Sequence, residues 1–265
     1  MRLFDPTWTD DPKEPGLTDR YAIFAGELIE QKVAGVFLMP EEILENQYLS
    51  STAAVVDLFG QASIPVVLID RDIVRYPARS RLDLVGIDNF DAGFSLTNHF
   101  ISLGCRKIDF LAYSTCVPTQ EARIAGYLKS LEFHGIRPNL SAVHHGDLFA
   151  KDFILEVLQR RRPEAVLVVS DSRASSVMQC AIKAGIRVPE ELRIGSFDDL
   201  ATAAKLPVPL TTIRQPGAGL GYVAFRTMVQ RLEQPGLPPL HAELTGELIV
   251  RASSGPPVKM RGGRK

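Results

Sequence analysis

Short apolar runs alternate with amphipathic segments along most of the chain. The runs that are typical of buried strands lie at residues 33–39, 64–69, 84–87, 107–112, 142–145, 165–169, 193–197, 210–214 and 247–251, with a weaker one at 3–4. Apolar residues at helical spacing predict helices at 19–31, 42–60, 91–104, 120–134, 151–161, 172–184 and 217–233. This alternation favours an α/β fold with parallel sheets covered on both faces, and the number of strands is sufficient for two Rossmann-like subdomains.

Composition narrows the class of protein without identifying a function. The 265 residues are 45% hydrophobic and 23% charged, as in an ordinary globular protein, and the net charge of −1 gives no overall basic surface for nucleic acid. The cysteines Cys105, Cys116 and Cys180 form no C-x-x-C pair, which favours reduced thiols and a cytoplasmic location. No apolar run is long enough to span a bilayer, and residues 1–16 lack the pattern of a secretory signal.

Charged and polar side chains follow several predicted strands directly. Asp70 and Arg71 come after the strand at 64–69, Asp198 and Asp199 close the strand at 193–197, and Gln215 follows the strand at 210–214. In open α/β sheets, ligands bind at the carboxyl ends of the strands. A guanidinium fork and a carboxylate are suited to bonding the adjacent hydroxyls of a sugar or similar polyol. For Asp70 and Arg71 an exposed ion pair is the alternative.

Motifs for catalysis or metal binding are missing from the sequence. It contains no G-x-S-x-G elbow, P-loop or H-E-x-x-H, and the glycines at 217–221 lack the full dinucleotide-binding spacing. His144 and His145 are neighbours on a predicted strand, so their side chains point to opposite faces. An enzyme is therefore the least favoured class, and neither a cofactor nor a metal is expected.

Several longer segments, taken in order, resemble one known family. They include IPVVLIDRD (64–72), EARIAGYLKSL (121–131), GIRVPEELRIGSFDD (185–199) and PLTTIRQP (209–216). The chain is similar to the effector-binding domain of lactose-repressor-type (LacI/GalR) transcriptional regulators, which looks like a periplasmic sugar-binding protein. The resemblance implies two subdomains joined by a hinge. We expect the first at 1–113 plus 216–244 and the second at 114–215 plus 245–255, with a disordered basic tail at 256–265.

The family's pattern also implies which residues hold the ligand, in a cleft between the subdomains. Arg123 matches the motif R-x-x-G-[YFW], whose arginine reaches the ligand in the family. Asp198 matches a carboxylate that accepts ligand hydroxyl protons, whereas Asp199 is expected to cap or pair locally. Gln215 matches a polar contact at the hinge. Together with Asp70 and Arg71, these residues are the core of the predicted site.

Three further positions are ambiguous when they are compared with the family. Ser170 stands where family members often carry an amide that bonds the ligand, and Asp171 is predicted either to bind ligand or to cap the helix after it. Several members place an aromatic residue after Gly-Asp, where this chain has Leu148. Phe149 is the alternative stacking residue if the loop shifts by one position.

The resemblance leads us to expect the sensing domain of a DNA-binding regulator. The effector is expected to be a small polar molecule, a sugar or a derivative, and homodimerisation is expected through the helices at 42–60 and 217–233. No helix-turn-helix motif occurs in these residues, so the DNA-binding region is expected to lie upstream of residue 1. The first strand and helix of the family's fold are expected there too. The alternative function is an exported sugar-binding receptor of a transporter or sensor.

Overall fold

The computed structural model describes residues 17–40, 48–115 and 117–256. The predicted strand at 3–4, the first six residues of the predicted helix at 42–60, and the basic tail from residue 257 onward lie outside the described residues. Within them, helices and strands alternate as the hydrophobic pattern predicts.

The helices and strands are numbered in chain order. The helices are α1 (Leu17–Glu30), α2 (Tyr48–Gln61), α3 (Asn89–Ser102), α4 (Pro118–Phe133), α5 (Lys151–Arg161), α6 (Asp171–Lys183) and α7 (Gly217–Glu233). The strands are β1 (Val36–Leu38), β2 (Val66–Ile69), β3 (Asp83–Ile87), β4 (Ile108–Ala112), β5 (Val143–His145), β6 (Ala165–Val168), β7 (Arg193–Asp198), β8 (Thr211–Arg214), β9 (His241–Leu244) and β10 (Glu247–Ile249).

The chain divides into two units, each with its own sheet. Unit 1 comprises Met1–Gly86 and Ala218–Ala242, and unit 2 comprises Ile87–Gly217 and Glu243–Lys265. The first boundary therefore falls at 86/87, whereas the sequence led us to expect it at 113. The reason is that β4 pairs with β5 and β6, and α3 packs on α4. The segment between residues 87 and 113, which contains α3 and β4, therefore belongs to unit 2. The other two crossings lie within two residues of the expected positions.

The sheet of unit 1 has the order β1-β2-β3-β9, and β1, β2 and β3 run parallel. Its core joins apolar side chains of α1 and α2 to the strands, among them Tyr21, Leu28, Phe59 and Leu68. Strand β9 has no counterpart in the sequence-based prediction, because HAEL contains no continuous apolar run and its alternation covers only four residues. Its place beside β3 comes from tertiary pairing.

The sheet of unit 2 has the order β10-β8-β7-β6-β4-β5. Strands β4 to β8 are all parallel, and only β10 is antiparallel; it pairs with β8 and forms one edge of the sheet. Because β4 and β6 are entirely buried, they form continuous apolar runs in the sequence rather than alternating ones. The prediction of an α/β fold with parallel sheets in two subdomains is confirmed.

Helices α3 and α4 approach each other closely at two glycines. A Cβ atom on Gly93 would overlap the carbonyl oxygen of Arg123, and one on Gly126 would overlap that of Phe90. The glycine of the R-x-x-G segment thus permits close contact between the two helices. The following residue, Tyr127, is fully buried and donates its hydroxyl to the Ile108 carbonyl at 2.8 Å. This contact fixes α4 over β4 and sets the position of Arg123.

None of the helices in the described residues combines the length and the apolar character needed to cross a membrane.

Candidate functional site

Polar and aromatic side chains line the carboxyl edge of the sheet in unit 2. Following the strand order from β8 to β5, they are Gln215 after β8, Asp198 at the end of β7, Ser170 after β6, Tyr113 after β4 and Phe149 after β5. Arg123 of α4 and Arg173 of α6 lie among them. We call these seven residues the edge row. Since parallel strands end together at one edge, five separate loops contribute to it.

Arg123 is the most buried member of the edge row. Although the sequence suggests an exposed position on its helix, its side chain is buried, with 4% exposed. Its Nε donates to Asn89 Oδ1 at 2.8 Å, and Nη1 donates to the Val169 carbonyl at 2.8 Å. The guanidinium carbon lies 4.5 Å from the centre of the Phe197 ring, and Nη2 lies 3.8 Å from Asp198 Oδ1. The stacked, bonded fork therefore presents Nη2 toward the carboxylate.

Asp198 is held in an unusual backbone conformation. Its φ is 110° and that of Asp199 is 54°, so the chain turns sharply through the left-handed region as β7 ends. Such conformations are costly for residues other than glycine and concentrate at functional sites. Asp198 Oδ1 also accepts a hydrogen bond from Gln215 Nε2 at 2.9 Å. The structure thus brings together Arg123, Asp198 and Gln215, three of the predicted ligand-binding residues.

Asp199 pairs locally, as predicted. Its carboxylate accepts bonds from Arg214 Nε at 2.7 Å and from Arg251 Nη2 at 2.6 Å. Burial alone would raise the pKa of Asp199, but the hydrogen bonds from Arg251 and Arg214 outweigh it and lower the pKa below its usual value. Its bonds to the two arginines tie β7 to β8 and to the segment after β10.

The other end of the edge row is an aromatic and cationic cluster. The Arg173 guanidinium lies 3.6 Å from the centre of the Phe149 ring and 5.2 Å from that of Tyr113. Its Nε donates to the Tyr113 hydroxyl at 3.3 Å, and that hydroxyl lies 3.4 Å from Ser170 Oγ. Leu148, in contrast, is buried in the core with 1% exposed. Phe149, rather than Leu148, therefore lies beside Tyr113 at this edge.

Asp171 is placed below the edge row rather than in it. It is 2% exposed, and its Oδ1 accepts hydrogen bonds from the hydroxyls of Ser196 and of Thr212, the latter at 2.7 Å. Oδ2 accepts the Leu200 N–H at 2.8 Å. The expectation of a helix cap needs correction: α6 begins at Asp171 itself, and the carboxylate bonds β7, β8 and the loop after β7. A direct ligand contact of Asp171 stays a prediction.

Asp70 and Arg71 lie in unit 1, at the end of β2. Arg71 donates from Nε and Nη2 to Asp70 Oδ2, at 2.9 and 2.6 Å, and Asp70 has a φ of 70°. The alternative role, an ion pair, is thus present, but the pair is not exposed, since the side chains are 13% and 10% accessible. Asp70 Oδ1 is buried and has no hydrogen-bond partner among the described residues. Their role in binding ligand stays a prediction.

The sequence-based prediction of the site left out three residues that contribute to it: Asn89, Tyr113 and Arg173. Asn89 and Tyr113 each follow a strand, β3 and β4, so the rule that selected Asp198 applies to them equally. Arg173 carries no such signal. Its position depends on where α6 begins and on the loop after β5 that brings Phe149 against it.

The edge row is suited to binding a polar molecule. It offers a carboxylate acceptor, an amide, two hydroxyls and two guanidinium forks, with exposed aromatic surface at Phe149. Among the described residues there is no group of three or more histidine, cysteine, aspartate or glutamate side chains that could hold a metal ion. Parallel sheet, strand-end loops and polar row together define a ligand-binding α/β protein.

Comparison with known proteins identifies the family. A family model described as a periplasmic binding protein-like domain matches residues 97–254, more than half of the chain. The chain belongs to this family. The resemblance to the effector-binding domain of LacI/GalR-type regulators, inferred from the sequence, is also confirmed by two related regulators, and a third protein shares the fold.

Two relatives and one further solved structure illustrate the likeness. The HTH-type transcriptional repressor PurR of Glaesserella parasuis serovar 5 (strain SH0165) is 28% identical over 241 residues, covering 85% of this chain and 66% of that protein. The transcriptional regulator CelR, in its complex with cellobiose, is 25% identical with a TM-score of 0.75, covering 89% of this chain and 70% of that one. CcpA of Lactococcus lactis, 20% identical over 89% of this chain and 83% of its own, shares the fold with a TM-score of 0.74. The chain thus spans slightly less than two thirds of the first of these relatives.

Proposed function

We propose that the chain is the effector-binding domain of a LacI-type transcriptional regulator and that its effector is a small polar molecule of the sugar class. The observation that carries this proposal is the cluster of Arg123, Asp198 and Gln215 at the carboxyl edge of unit 2. The relatives named as transcriptional repressors, and the CelR structure with cellobiose, support it.

The chemistry of the cluster is suited to hydroxyl groups. Asp198 keeps a quarter of its side chain accessible, so its carboxylate can accept a hydrogen bond from a ligand hydroxyl while Arg123 balances its charge. Arg123 is held by Asn89 and Val169 and loses little freedom when a ligand binds. A polyol that satisfies both groups replaces the water around them, and its orientation is fixed by a few directional bonds.

Regulation follows if the effector binds one conformation of the protein better than another. Its differential affinity then shifts the population toward that conformation, with a coupling free energy of about 1–3 kcal/mol in typical cases. We infer that this shift is passed to the DNA-binding part of a cytoplasmic regulator and that the protein is not an enzyme. The repressor names of the relatives support these inferences.

The first test is a screen for stabilisation by candidate effectors. Pentoses, hexoses, sugar acids, sugar phosphates and purines are added singly, and thermal unfolding of the chain is followed. A true effector at a hundredfold excess over its dissociation constant is expected to stabilise the folded chain by about 2.7 kcal/mol. If the chain is folded and none of these compounds raises its unfolding temperature, the proposed sugar-class effector is contradicted.

The second part of this test places the effector at Asp198. Asp198→Asn keeps the size of the side chain and removes its charge, and it is expected to weaken effector binding about 10- to 100-fold in calorimetry. Asp152→Asn, at an exposed position of α5, is the matched control and is expected to bind normally. Unchanged affinity in Asp198→Asn would remove Asp198 from the site.

Homodimerisation is proposed through unit 1, including α7. Three apolar side chains at helical spacing are exposed on that helix: Tyr222 (65%), Phe225 (60%) and Leu232 (44%). Phe225→Glu is expected to shift the mass in sedimentation velocity from dimer to monomer at micromolar concentration. Gln230→Glu adds the same charge at another exposed position of α7 and is expected to stay dimeric. A monomeric wild-type protein would refute the proposal.

A further inference from the structure

Arg173 is a cation without a carboxylate partner among the described residues. The other partly buried arginines bond carboxylates or fill their donors: Arg161 bonds Asp109, Arg231 bonds Asp83, and Arg193 uses Nε, Nη1 and Nη2 on other groups. No ion pair links Arg173 to a carboxylate within the described part of the chain, and its buried Nη1 has no hydrogen-bond partner there. A buried, unpaired charged donor is costly, and a ligand atom would satisfy it.

The surroundings of Arg173 hold the guanidinium and leave its Nη1 without a hydrogen-bond partner among the described residues. Stacking on Phe149 covers one face of the planar group, and Nε is used by the Tyr113 hydroxyl. The N–H bonds of a guanidinium lie in its plane, so a stacked fork directs the remaining donors sideways, where they can meet a carboxylate or phosphate in two parallel bonds. The nearby hydroxyls of Tyr113 and Ser170 lie 3.4 Å apart and add donors for the same group.

The loops that carry this cluster are themselves fixed. The N–H of Tyr113 donates to Gln120 Oε1 at 2.8 Å, and the amide of Gln120, fully buried, also bonds the Thr115 carbonyl. The nearest acid in sequence to Phe149, Asp147, accepts the Phe149 N–H at 2.8 Å and so shapes its own loop. The residues that contact the Arg173 guanidinium are therefore held in place by hydrogen bonds within their own loops.

The two ends of the edge row differ in charge. At one end Arg123 faces Asp198, an arrangement that is balanced and suits neutral hydroxyls. At the other end Arg173 has a net positive charge beside two hydroxyls. We propose that the effector carries an anionic group, a carboxylate or a phosphate, and that Arg173 binds it; this rests on the proposed function and narrows the effector to sugar acids or sugar phosphates.

The test uses pairs of probes that differ in one anionic group. Glucose is compared with glucuronate and with glucose 6-phosphate, and ribose with ribose 5-phosphate, by calorimetry on the 265-residue chain. At least one anionic probe is expected to bind at least tenfold more tightly than its neutral partner, and the carboxylate and phosphate arms distinguish the two sources of charge.

The variant Arg173→Met assigns that preference to one residue. It keeps a long side chain against Phe149 but removes the fork, and it is expected to weaken binding of the anionic probe about 10- to 100-fold and binding of the neutral probe far less. Arg173→Lys keeps the charge without the fork. Its affinity for the anionic probe is expected to lie between that of the wild type and that of Arg173→Met. The matched control is Arg160→Met, which removes a charge from an exposed position of α5 and is expected to change neither probe.

Each outcome separates the inference from the function on which it rests. If the neutral sugars bind as tightly as their anionic partners, or if Arg173→Met weakens both equally, the anionic effector is refuted and the sugar-binding function stands. If no probe of either kind binds to the folded chain, both are refuted. If Arg173→Met loses the preference for the anionic probe and Asp198→Asn weakens binding of the neutral and the anionic probe alike, the anionic effector and the sugar-binding function are both supported.

Discussion

Arg231→Met is expected to destabilise unit 1 by about 3 kcal/mol. Arg231 of α7 donates from Nε and Nη2 to the two oxygens of Asp83, each at 2.8 Å, and Asp83 is nearly inaccessible at the start of β3. The same guanidinium donates to the carbonyls of Pro235, Leu237 and Pro238. Removing it leaves the buried Asp83 carboxylate with one hydrogen bond from the described residues, donated by the Leu240 N–H. A buried carboxylate without its cation is the costly result of breaking an ion pair.

Amide hydrogen exchange measures this loss in the region concerned. In Arg231→Met, the protection of peptides covering β3 and β9 is expected to fall about a hundredfold, since exchange of core amides reports the local free energy of opening. Arg226→Met, at an exposed position of the same helix, is the control and is expected to leave protection unchanged. Equal protection in the two variants would mean that the Asp83 contact contributes little.

Asp171→Ala is the second substitution with a large expected effect. It leaves the Ser196 and Thr212 hydroxyls and the Leu200 N–H without their acceptor in the interior of unit 2. Each unsatisfied buried group costs about 1–3 kcal/mol, partly recovered where a hydroxyl rotates to another partner. We expect a loss of about 3 kcal/mol, measured by urea unfolding. Asp171→Asn should lose less, because its amide can donate to the hydroxyls and its carbonyl can accept the Leu200 N–H.

The pH dependence of the Asp171→Asn variant distinguishes this account from simple loss of packing. Burial raises the pKa of Asp171 despite the opposing hydrogen bonds from Ser196, Thr212 and Leu200. The folded chain therefore binds the proton more readily than the unfolded chain, so this carboxyl contributes less stability as the pH rises from about 4, its unfolded pKa, through the raised value. Asparagine lacks this contribution. The stability gap between wild type and Asp171→Asn should thus be largest in acid and shrink toward pH 7; a gap that widens would contradict the raised pKa.

Most of the fold could be predicted from local patterns. Strands such as β4 and β6 are buried on both faces, so their apolar runs are unambiguous, and the glycines at 104, 135 and 185 follow helices in positive-φ conformations. β9 and the boundary at 86/87 could not be predicted, because both depend on which distant strand or helix an element packs against.

The candidate site was predicted in part for the same reason. The strand-end rule located Asp198 and Gln215, and the motif R-x-x-G-[YFW] located Arg123. Neither indicated that Arg123 is buried against Phe197 or that Asp171 is bonded on both oxygens within unit 2. Those facts depend on hydrogen bonds between residues tens of positions apart.

The sequence by itself determined the alternation of strands and helices, the parallel sheets and the family, because hydrophobic periodicity and short motifs are local properties of the chain. Only the tertiary structure decided which charges compensate one another. Arg123, Arg173 and Arg231 are alike in the sequence, yet one faces Asp198, one bonds buried Asp83, and Arg173 stacks on Phe149 with a buried nitrogen that has no partner among the described residues. The physical reason is that Coulomb and hydrogen-bond energies depend on distances of a few ångströms, which are set by the packing of distant segments.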